Sequence, residues 1–156
     1  MKVFISHKNE DSALALAIQL AFSKNGITSY LDVLDSSIAR GGKELTDHIK
    51  SSLNSCSDII VVMSDATKYS WWVPFEIGMS AQNDMPTATF LKSDVALPSY
   101  LSYWPRLKTT NDIDKYVSVR KKTEQTIIEQ YGRYAFAGRE AIETRAFYDA
   151  LKRELR

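Results

Sequence analysis

The stretch Asp58-Ile59-Ile60-Val61-Val62-Met63-Ser64 decides the fold class of this chain of 156 residues. Its apolar residues, most of them β-branched, follow one another without the alternating polar positions of a half-exposed strand. This pattern predicts a strand that is buried on both faces. Strands of that kind lie at the centre of parallel sheets, where helices cover both faces. The flanking sequence should therefore alternate between helices and further strands.

Two strands are predicted upstream, Val3–Ile5 and Thr28–Leu31. The helix between them has apolar residues at i, i+3, i+4 and i+7, which predicts a buried face formed by Leu14, Ala17, Ile18 and Ala21. It should end at Lys24-Asn25-Gly26, where a cation is followed by a residue that favours the left-handed conformation. A second helix, with an apolar residue at every fourth position from Leu45 to Leu53, precedes the central strand.

Downstream, a helix that carries Glu76 is followed by a fourth strand at Thr87–Leu91 and a short edge strand at Arg106–Lys108. From Ile113 the sequence is mostly helical, with breaks predicted at two glycines, Gly132 and Gly138. Strands that alternate with helices, joined by right-handed crossovers, predict a flavodoxin-like α/β fold: a five-stranded parallel sheet of order 2-1-3-4-5 with helices on both faces. We expect one domain over residues 1–120 and a helical extension, 121–156, packed on it.

Composition excludes several classes of protein. The formal net charge is +1, without the clustered basic excess that electrostatic binding of nucleic acid requires. The single cysteine, Cys56, excludes an internal disulfide and a cysteine-based zinc cluster, which favours the reducing cytoplasm. We expect Cys56 to be a small buried apolar residue. No apolar run approaches the ~18 residues of a membrane helix, and the start of the chain lacks a signal-peptide core, so no membrane contact is expected.

In a sheet of this order, ligands bind beyond the carboxyl ends of the strands, at the switch point between strands 1 and 3. Three loops should meet there: Ser6–Asp11, Val33–Lys43 and Asp65–Ser70. The start of the helix that carries Glu76 should lie beside them. Functional residues are therefore expected in these four segments.

The segment Ser70-Trp71-Trp72-Val73-Pro74-Phe75-Glu76 carries the candidate chemistry. Proline is tolerated only in the first turn of a helix, so the helix should begin near Trp71–Val73, with Trp72 and Glu76 on one face. An aromatic ring beside a carboxylate suits a cationic aromatic substrate, or the oxocarbenium ion that forms when a glycosidic bond breaks. In the alternative interpretation, Trp71 and Trp72 belong to the core and Glu76 is an exposed helix residue.

Together these segments resemble a Toll/interleukin-1 receptor (TIR) domain, from Met1 to about Tyr116. Val3–Lys8 with Asp11 resembles the first strand and loop of the family, and Tyr30–Asp32 the second strand. Ile60–Ser64 resembles the third strand. Ser70, Trp72 and Glu76 match the S-x-W-x-x-x-E pattern of the NAD-cleaving members. The cysteine that usually follows this tryptophan is replaced here by Val73, which bears on where the helix starts and how Glu76 is aimed.

The resemblance implies a bacterial enzyme that cleaves the nicotinamide–ribose bond of NAD⁺, its substrate, without a further cofactor. Glu76 matches the catalytic glutamate, which would bind the ribose hydroxyls and stabilise an oxocarbenium-like transition state. The residues that would contact the substrate are Ser6, His7, Lys8, Asp35, Gly41, Gly42, Ser70 and Trp72. The segment from Asp35 to Gly42 matches the loop that gates the site and mediates self-association between TIR domains.

The compact form resembles antiphage TIR proteins of Thoeris-like systems, in which a cyclic ADP-ribose-type product activates a separate effector. Two alternatives stay open: a non-enzymatic TIR adaptor that works by self-association, and a nucleoside deoxyribosyltransferase-like enzyme. The two histidines, His7 and His48, are far apart, so no metal site is expected, and His48 should lie at the surface. Ser64 lacks a G-x-S-x-G elbow, which argues against a nucleophile triad.

Overall fold

The computed structural model describes residues 1–33, 42–91, 95–97, 99–133 and 137–156. The strands are β1 (Lys2–His7), β2 (Thr28–Val33), β3 (Asp58–Val62), β4 (Thr87–Phe90) and β5 (Arg106–Leu107). The helices are α1 (Ser12–Lys24), α2 (Gly42–Asn54), α3 (Trp72–Gln82), α4 (Thr110–Tyr131) and α5 (Arg139–Glu154). Short 3₁₀ turns span Asn9–Asp11, Thr67–Tyr69 and Ser99–Tyr103.

All five strands pair in parallel, in the order β2-β1-β3-β4-β5, so the predicted flavodoxin-like topology is confirmed. The central strand, β3, is buried at every position, as its unbroken apolar sequence predicts. β1 is longer than predicted and runs to His7, because Ser6 and His7 continue its pairing with β2. These two residues are therefore strand residues and not part of the following loop.

Two hydrophobic layers cover the sheet. On one face, α1, α4 and α5 pack on alternate strand residues, including Ile5 and Ile60. On the other face, α2 and α3 pack on the intervening residues, including Phe4 and Ile59. Successive strand side chains point to opposite faces, which is why one apolar run supplies both layers. Cys56 is buried in the second layer, as predicted.

The predicted buried face of α1 is confirmed at Ile18 and Ala21 and wrong at Ala17. The helix buries Ala15, Ile18, Ala21 and Phe22. Of the predicted residues, Ala17 is exposed and Leu14 is half-buried. α1 carries apolar residues around most of its circumference, so the helical spacing alone does not select the face that meets the sheet. The helix ends as predicted, with Gly26 at φ 71°.

α5 belongs to the same hydrophobic layer as α1 and α4. The ring of Phe147 is fully buried and meets that of Tyr116 on α4, with centroids 5.0 Å apart. Tyr148 Oη accepts the backbone N–H of Thr87 in β4 at 2.8 Å, so α5 is hydrogen-bonded to the sheet. The predicted boundary after residue 120 falls inside α4, which continues to Tyr131. The division into 1–120 and 121–156 stays a prediction.

An ion-pair network joins the amino edge of the sheet to α4 and α5. Asp58, the first residue of β3, is fully buried and accepts hydrogen bonds from Tyr116 Oη (2.9 Å) and Arg120 Nε (3.1 Å). Arg120 also pairs with Glu143 on α5. Burial, with Asp58 adjacent, raises the pKa of Tyr116 well above its usual value. The network thus holds three elements together at the edge opposite the predicted site.

Asp58→Ala should lower the free energy of unfolding by about 3–5 kcal/mol, because it leaves Arg120 and Tyr116 buried without their shared acceptor. Asp114→Ala is the matched control: its carboxylate accepts a hydrogen bond from Asn25 at the surface, and the expected loss is below about 1 kcal/mol. Urea unfolding at neutral pH measures both. Similar small losses in the two variants would show that the buried network does not stabilise the fold.

Burial raises the pKa of Tyr148 to about 12 from its ordinary value of 10.0. The folded state then keeps a phenol proton that the unfolded state loses above pH 10. This contribution to stability should be complete below pH 10 and decline by about 2–3 kcal/mol as the pH rises to 12. Tyr148→Phe should show a shallower alkaline decline than the wild type in urea unfolding, whereas Tyr131→Phe, at an exposed position, should match the wild type. If the free energy of unfolding declines equally with pH in all three proteins, the raised pKa of Tyr148 does not contribute to stability.

Candidate active site at the carboxyl edge of the sheet

Glu76 is fully buried beside the carboxyl end of β1. It lies in the second turn of α3, and its Oε2 accepts a hydrogen bond from Ser6 Oγ. The alternative interpretation, in which Glu76 is an exposed helix residue, is therefore wrong. Glutamate is rarely buried completely, because a carboxylate loses its hydration there unless polar groups replace it. Glu76 lies next to β1, at the switch point of the sheet, where the ligands of this topology bind.

The start of α3 sets the direction of the Glu76 side chain. The helix begins at Trp72, within the predicted range, and Pro74 lies in its first turn. Ser70 Oγ accepts the backbone N–H groups of Trp72 and Val73 at 3.3 and 3.4 Å. Ser70 thus caps the helix by satisfying amides that have no partner within it. With Val73 in place of the family's cysteine, the helix still brings Glu76 to Ser6.

The two tryptophans of the motif lie in different surroundings. Trp72 is half-buried against the α2–α3 layer, and its ring meets that of Phe75 edge-on, with centroids 6.0 Å apart. Trp71 is 90% exposed, so the alternative interpretation of both rings as core is wrong for Trp71. Trp72 precedes Glu76 by one helical turn, which places the ring and the carboxylate on adjacent positions of α3.

A hydrogen-bond network that the sequence did not reveal joins the loops after β1 and β3. Asp11 Oδ2 accepts hydrogen bonds from Ser64 Oγ (2.7 Å) and Thr67 Oγ1 (2.5 Å). Ser64 Oγ in turn accepts the backbone N–H of Thr67 at 3.2 Å. The network fixes the two loops to each other at the edge where Glu76 lies. Asp11 follows β1, and Ser64 and Thr67 follow β3. Because the carboxyl ends of these two strands are adjacent, the predicted topology already places the three side chains at the same edge of the sheet.

His7 and Lys8, which the resemblance places in contact with substrate, have different surroundings. His7 is only 3% exposed, with Nδ1 3.3 Å from the carbonyl oxygen of Ile5. The alternation along β1 places it on the face of Ile5, opposite that of Ser6. Lys8 is half-buried, with Nζ 3.6 Å from a carboxylate oxygen of Glu10. Of the three residues, the structure brings Ser6 directly to Glu76.

The remaining predicted residues belong to α2 or to the segment before it. Asp35 and Gly41 are outside the described residues. Gly42 is the first residue of α2, and its carbonyl oxygen accepts a hydrogen bond from Thr46 Oγ1 at 2.8 Å. His48 is half-buried, with Nε2 3.1 Å from Tyr30 Oη.

A cleft of about 580 Å³ lies at the amino edge of the sheet, lined by residues that include Cys56, Arg120 and Glu143, and is remote from Glu76. In the described part of the chain, no group of three or more His, Cys, Asp or Glu side chains is placed to hold a metal ion. No helix of the described residues is long and apolar enough to span a bilayer.

Comparison with known proteins agrees with the fold. A family model described as "TIR domain" matches residues 3–129. No curated protein matches the sequence. Among solved structures, the chain is similar to a 2-deoxyribosyltransferase from the psychrotolerant bacterium Bacillus psychrosaccharolyticus, with a TM-score of 0.55 and 12% identity over 89% of this chain and 96% of that chain. At this identity the similarity shows the shared fold alone.

The Ser6–Glu76 hydrogen bond can be measured by a double-mutant cycle. Ser6→Ala should lower the free energy of unfolding by about 1.5–3 kcal/mol, the range for a hydrogen bond to a charged group. The same change in the Glu76→Gln background should cost only about 0.5–1.5 kcal/mol, because a neutral amide is a weaker acceptor. Urea unfolding of the four proteins at neutral pH gives the coupling. Equal costs of Ser6→Ala in the two backgrounds would mean that the charge of Glu76 does not strengthen the hydrogen bond, and no cost in either would mean that the bond does not form in solution.

Proposed function

The chain belongs to the TIR domain family, and we propose that it is an enzyme that cleaves the nicotinamide–ribose bond of NAD⁺. The observation that supports this most directly is the carboxylate of Glu76, fully buried at the carboxyl edge of a parallel sheet and bound by Ser6. Ser70, Trp72 and Glu76 keep the order and spacing of the motif in the NAD-cleaving members. A buried acid at the topological switch point is where this fold places groups that meet a ligand, and this supports a role in chemistry.

The reaction needs a fixed negative charge close to the ribose. When the C1′–N1 bond breaks, nicotinamide leaves as a neutral molecule with the bonding electron pair, and positive charge develops on C1′ and the ring oxygen of the ribose. The Glu76 carboxylate stabilises that charge and accepts hydrogen bonds from the ribose hydroxyls. Its effect is larger in a site shielded from water, where charges are weakly screened. Trp72 forms a wall of the pocket beside it.

Water completes hydrolysis when its oxygen bonds to C1′ and one of its protons is released to solvent. A nucleophilic group of the same ADP-ribose molecule would instead close a ring and give a cyclic product. We favour the cyclic product, which fits a signal for a separate effector in antiphage defence, as the resemblance to antiphage TIR proteins implies. Glu76 has the same role in hydrolysis and in cyclisation. The two reactions differ only in which nucleophile reaches C1′ first.

Access to Glu76 requires movement of a neighbouring group. Its side chain has no accessible surface in this structure, so a ribose cannot contact the carboxylate without displacing what covers it. Ser6 is one such group, because its hydroxyl occupies Oε2. We propose that substrate hydroxyls replace the Ser6 hydroxyl as donors to Glu76 during binding.

The test is release of nicotinamide from NAD⁺ by the purified protein at high concentration. Glu76→Gln keeps the size of the side chain and an oxygen acceptor for Ser6 but removes the negative charge, so turnover should fall at least about a hundredfold. Glu124→Gln, the same change at an exposed position of α4, is the matched control and should retain wild-type turnover. Chromatography of the second product separates ADP-ribose from a cyclic isomer.

Three results would contradict the proposal. Equal turnover by the wild type and Glu76→Gln would remove Glu76 from the chemistry. If the wild type does not cleave NAD⁺ at concentrations that support self-association, the chain would instead be a non-enzymatic TIR adaptor. Release of a free base from deoxynucleosides, without cleavage of NAD⁺, would instead favour a deoxyribosyltransferase-like enzyme, the activity named for the structurally similar protein.

A further inference from the structure

A chain of hydrogen bonds leads from Asp11 to the start of α3. Thr67 Oγ1 donates to Asp11 Oδ2 at 2.5 Å, and the carbonyl oxygen of Thr67 accepts the backbone N–H of Ser70 at 2.9 Å. Ser70 Oγ in turn accepts the backbone N–H groups of the first two residues of α3. Asp11, which follows β1, is therefore connected through Thr67 and Ser70 to the helix that carries Glu76.

This chain of hydrogen bonds closes into a ring through β1. The backbone N–H of Asp11 donates to the carbonyl oxygen of Lys8 at 2.9 Å, which ties the 3₁₀ turn to the end of the strand. Ser6, two residues before Lys8, donates to Glu76 Oε2. β1 pairs with β2 on one side and β3 on the other, so it is the firmly held part of the ring. Glu76 is therefore connected to β1 directly, which we call the Ser6 route, and through the start of α3, which we call the Asp11 route.

The Asp11 route is shielded from water and directional. Thr67 is 1% exposed, and Asp11 and Ser64 are half-buried. Ser64 Oγ also donates to Asp11 Oδ2, at 2.7 Å, and hydrogen bonds to a carboxylate are stronger than those between neutral groups. α3 packs on the sheet through Val73 and Ile77, but apolar packing is non-directional. The hydrogen bonds of the Asp11 route supply the direction that packing lacks, and they fix where α3 begins relative to β1.

We propose that Asp11 is a positioning residue that holds Glu76 in place during the cleavage of NAD⁺, a role that rests on the proposed function. The Ser6 route is lost when substrate hydroxyls replace the Ser6 hydroxyl at Glu76. The Asp11 route does not use the Glu76 side chain, so it stays closed while substrate is bound. The carboxylate is then already in place when positive charge develops on the ribose, and a group placed in advance stabilises that charge without reorganisation.

A stability cycle tests the ring without any turnover. If Asp11 holds α3 where Glu76 reaches Ser6, Ser6→Ala should lose less than half as much free energy of unfolding in the Asp11→Ala background as in the wild type. Asp114→Ala, which removes a surface carboxylate of α4, is the matched background and should leave the loss unchanged. Urea unfolding at neutral pH measures all the variants. Equal losses from Ser6→Ala in the three backgrounds would overturn the proposal.

Asp11→Asn keeps the cycle decisive if Asp11→Ala does not fold. The amide retains an oxygen acceptor for the hydroxyls of Ser64 and Thr67 but not the charge that strengthens their hydrogen bonds. The loss from Ser6→Ala should therefore lie between its values in the wild type and in the Asp11→Ala background. A loss equal to that in the wild type would overturn the proposal.

Steady-state kinetics with NAD⁺ separates positioning from a loss of folded protein. Asp11→Ala should lower kcat at least about tenfold and keep KM within about threefold of the wild type, because the charge of Glu76 is present but misplaced. Asp11→Asn should have an intermediate kcat. Phe147→Leu, at a fully buried ring of the opposite hydrophobic layer, lowers stability away from the site and should keep kcat within about twofold.

The outcomes distinguish the role of Asp11 from the proposed function. A wild type that cleaves no NAD⁺ contradicts the proposed function, and the stability cycle then still measures whether Asp11 holds Glu76 against Ser6. A wild type that cleaves NAD⁺ while Asp11→Ala keeps kcat within about threefold, or loses no more than Phe147→Leu does, would overturn the role of Asp11 and leave that of Glu76 intact.

Discussion

Residues Asp58–Val62 have no exposed position, and their burial between two helical layers is the constraint on which the rest of the structure depends. A strand covered on both faces requires helices on both sides, and parallel neighbours require crossovers long enough to contain those helices. β3 therefore fixes the positions of α1, α4 and α5 on one face and of α2 and α3 on the other. It also brings the carboxyl ends of β1 and β3 together, and with them the loops that carry polar side chains.

The two edges of the sheet have different roles. At the amino edge, Asp58 is buried together with Tyr116 and Arg120, and the hydrogen bonds between them join β3 to α4. At the carboxyl edge, Glu76 is buried with Ser6, and the paired loops around it are fixed by Asp11. Both carboxylates are fully buried, but only the second lies where the fold places ligands. The first accounts for stability, and the second is the basis of the proposed activity.

Much of the fold followed from spacing in the sequence, and the failures have physical causes. The strand order was predicted, because alternating strands and helices with right-handed crossovers leave few topologies. The predicted buried face of α1 was confirmed at Ile18 and Ala21 but wrong at Ala17, because α1 is apolar on its exposed side as well. The Asp11–Ser64 hydrogen bond joins residues 53 positions apart, so no local pattern predicts it. Glu76 was selected by its motif, but its complete burial depends on the packing of α3 against β1.

We propose that NAD⁺ binds at the carboxyl edge with its nicotinamide ribose next to Glu76. The most direct measurement is a crystal structure of the Glu76→Gln variant with NAD⁺, since this variant should bind the substrate without cleaving it. We expect the ribose hydroxyls to lie within hydrogen-bonding distance of the side chain at position 76, in place of the Ser6 hydroxyl, with nicotinamide near Trp72. NAD⁺ bound at the amino-edge cleft beside Arg120, with the Ser6 hydrogen bond to position 76 intact, would contradict it.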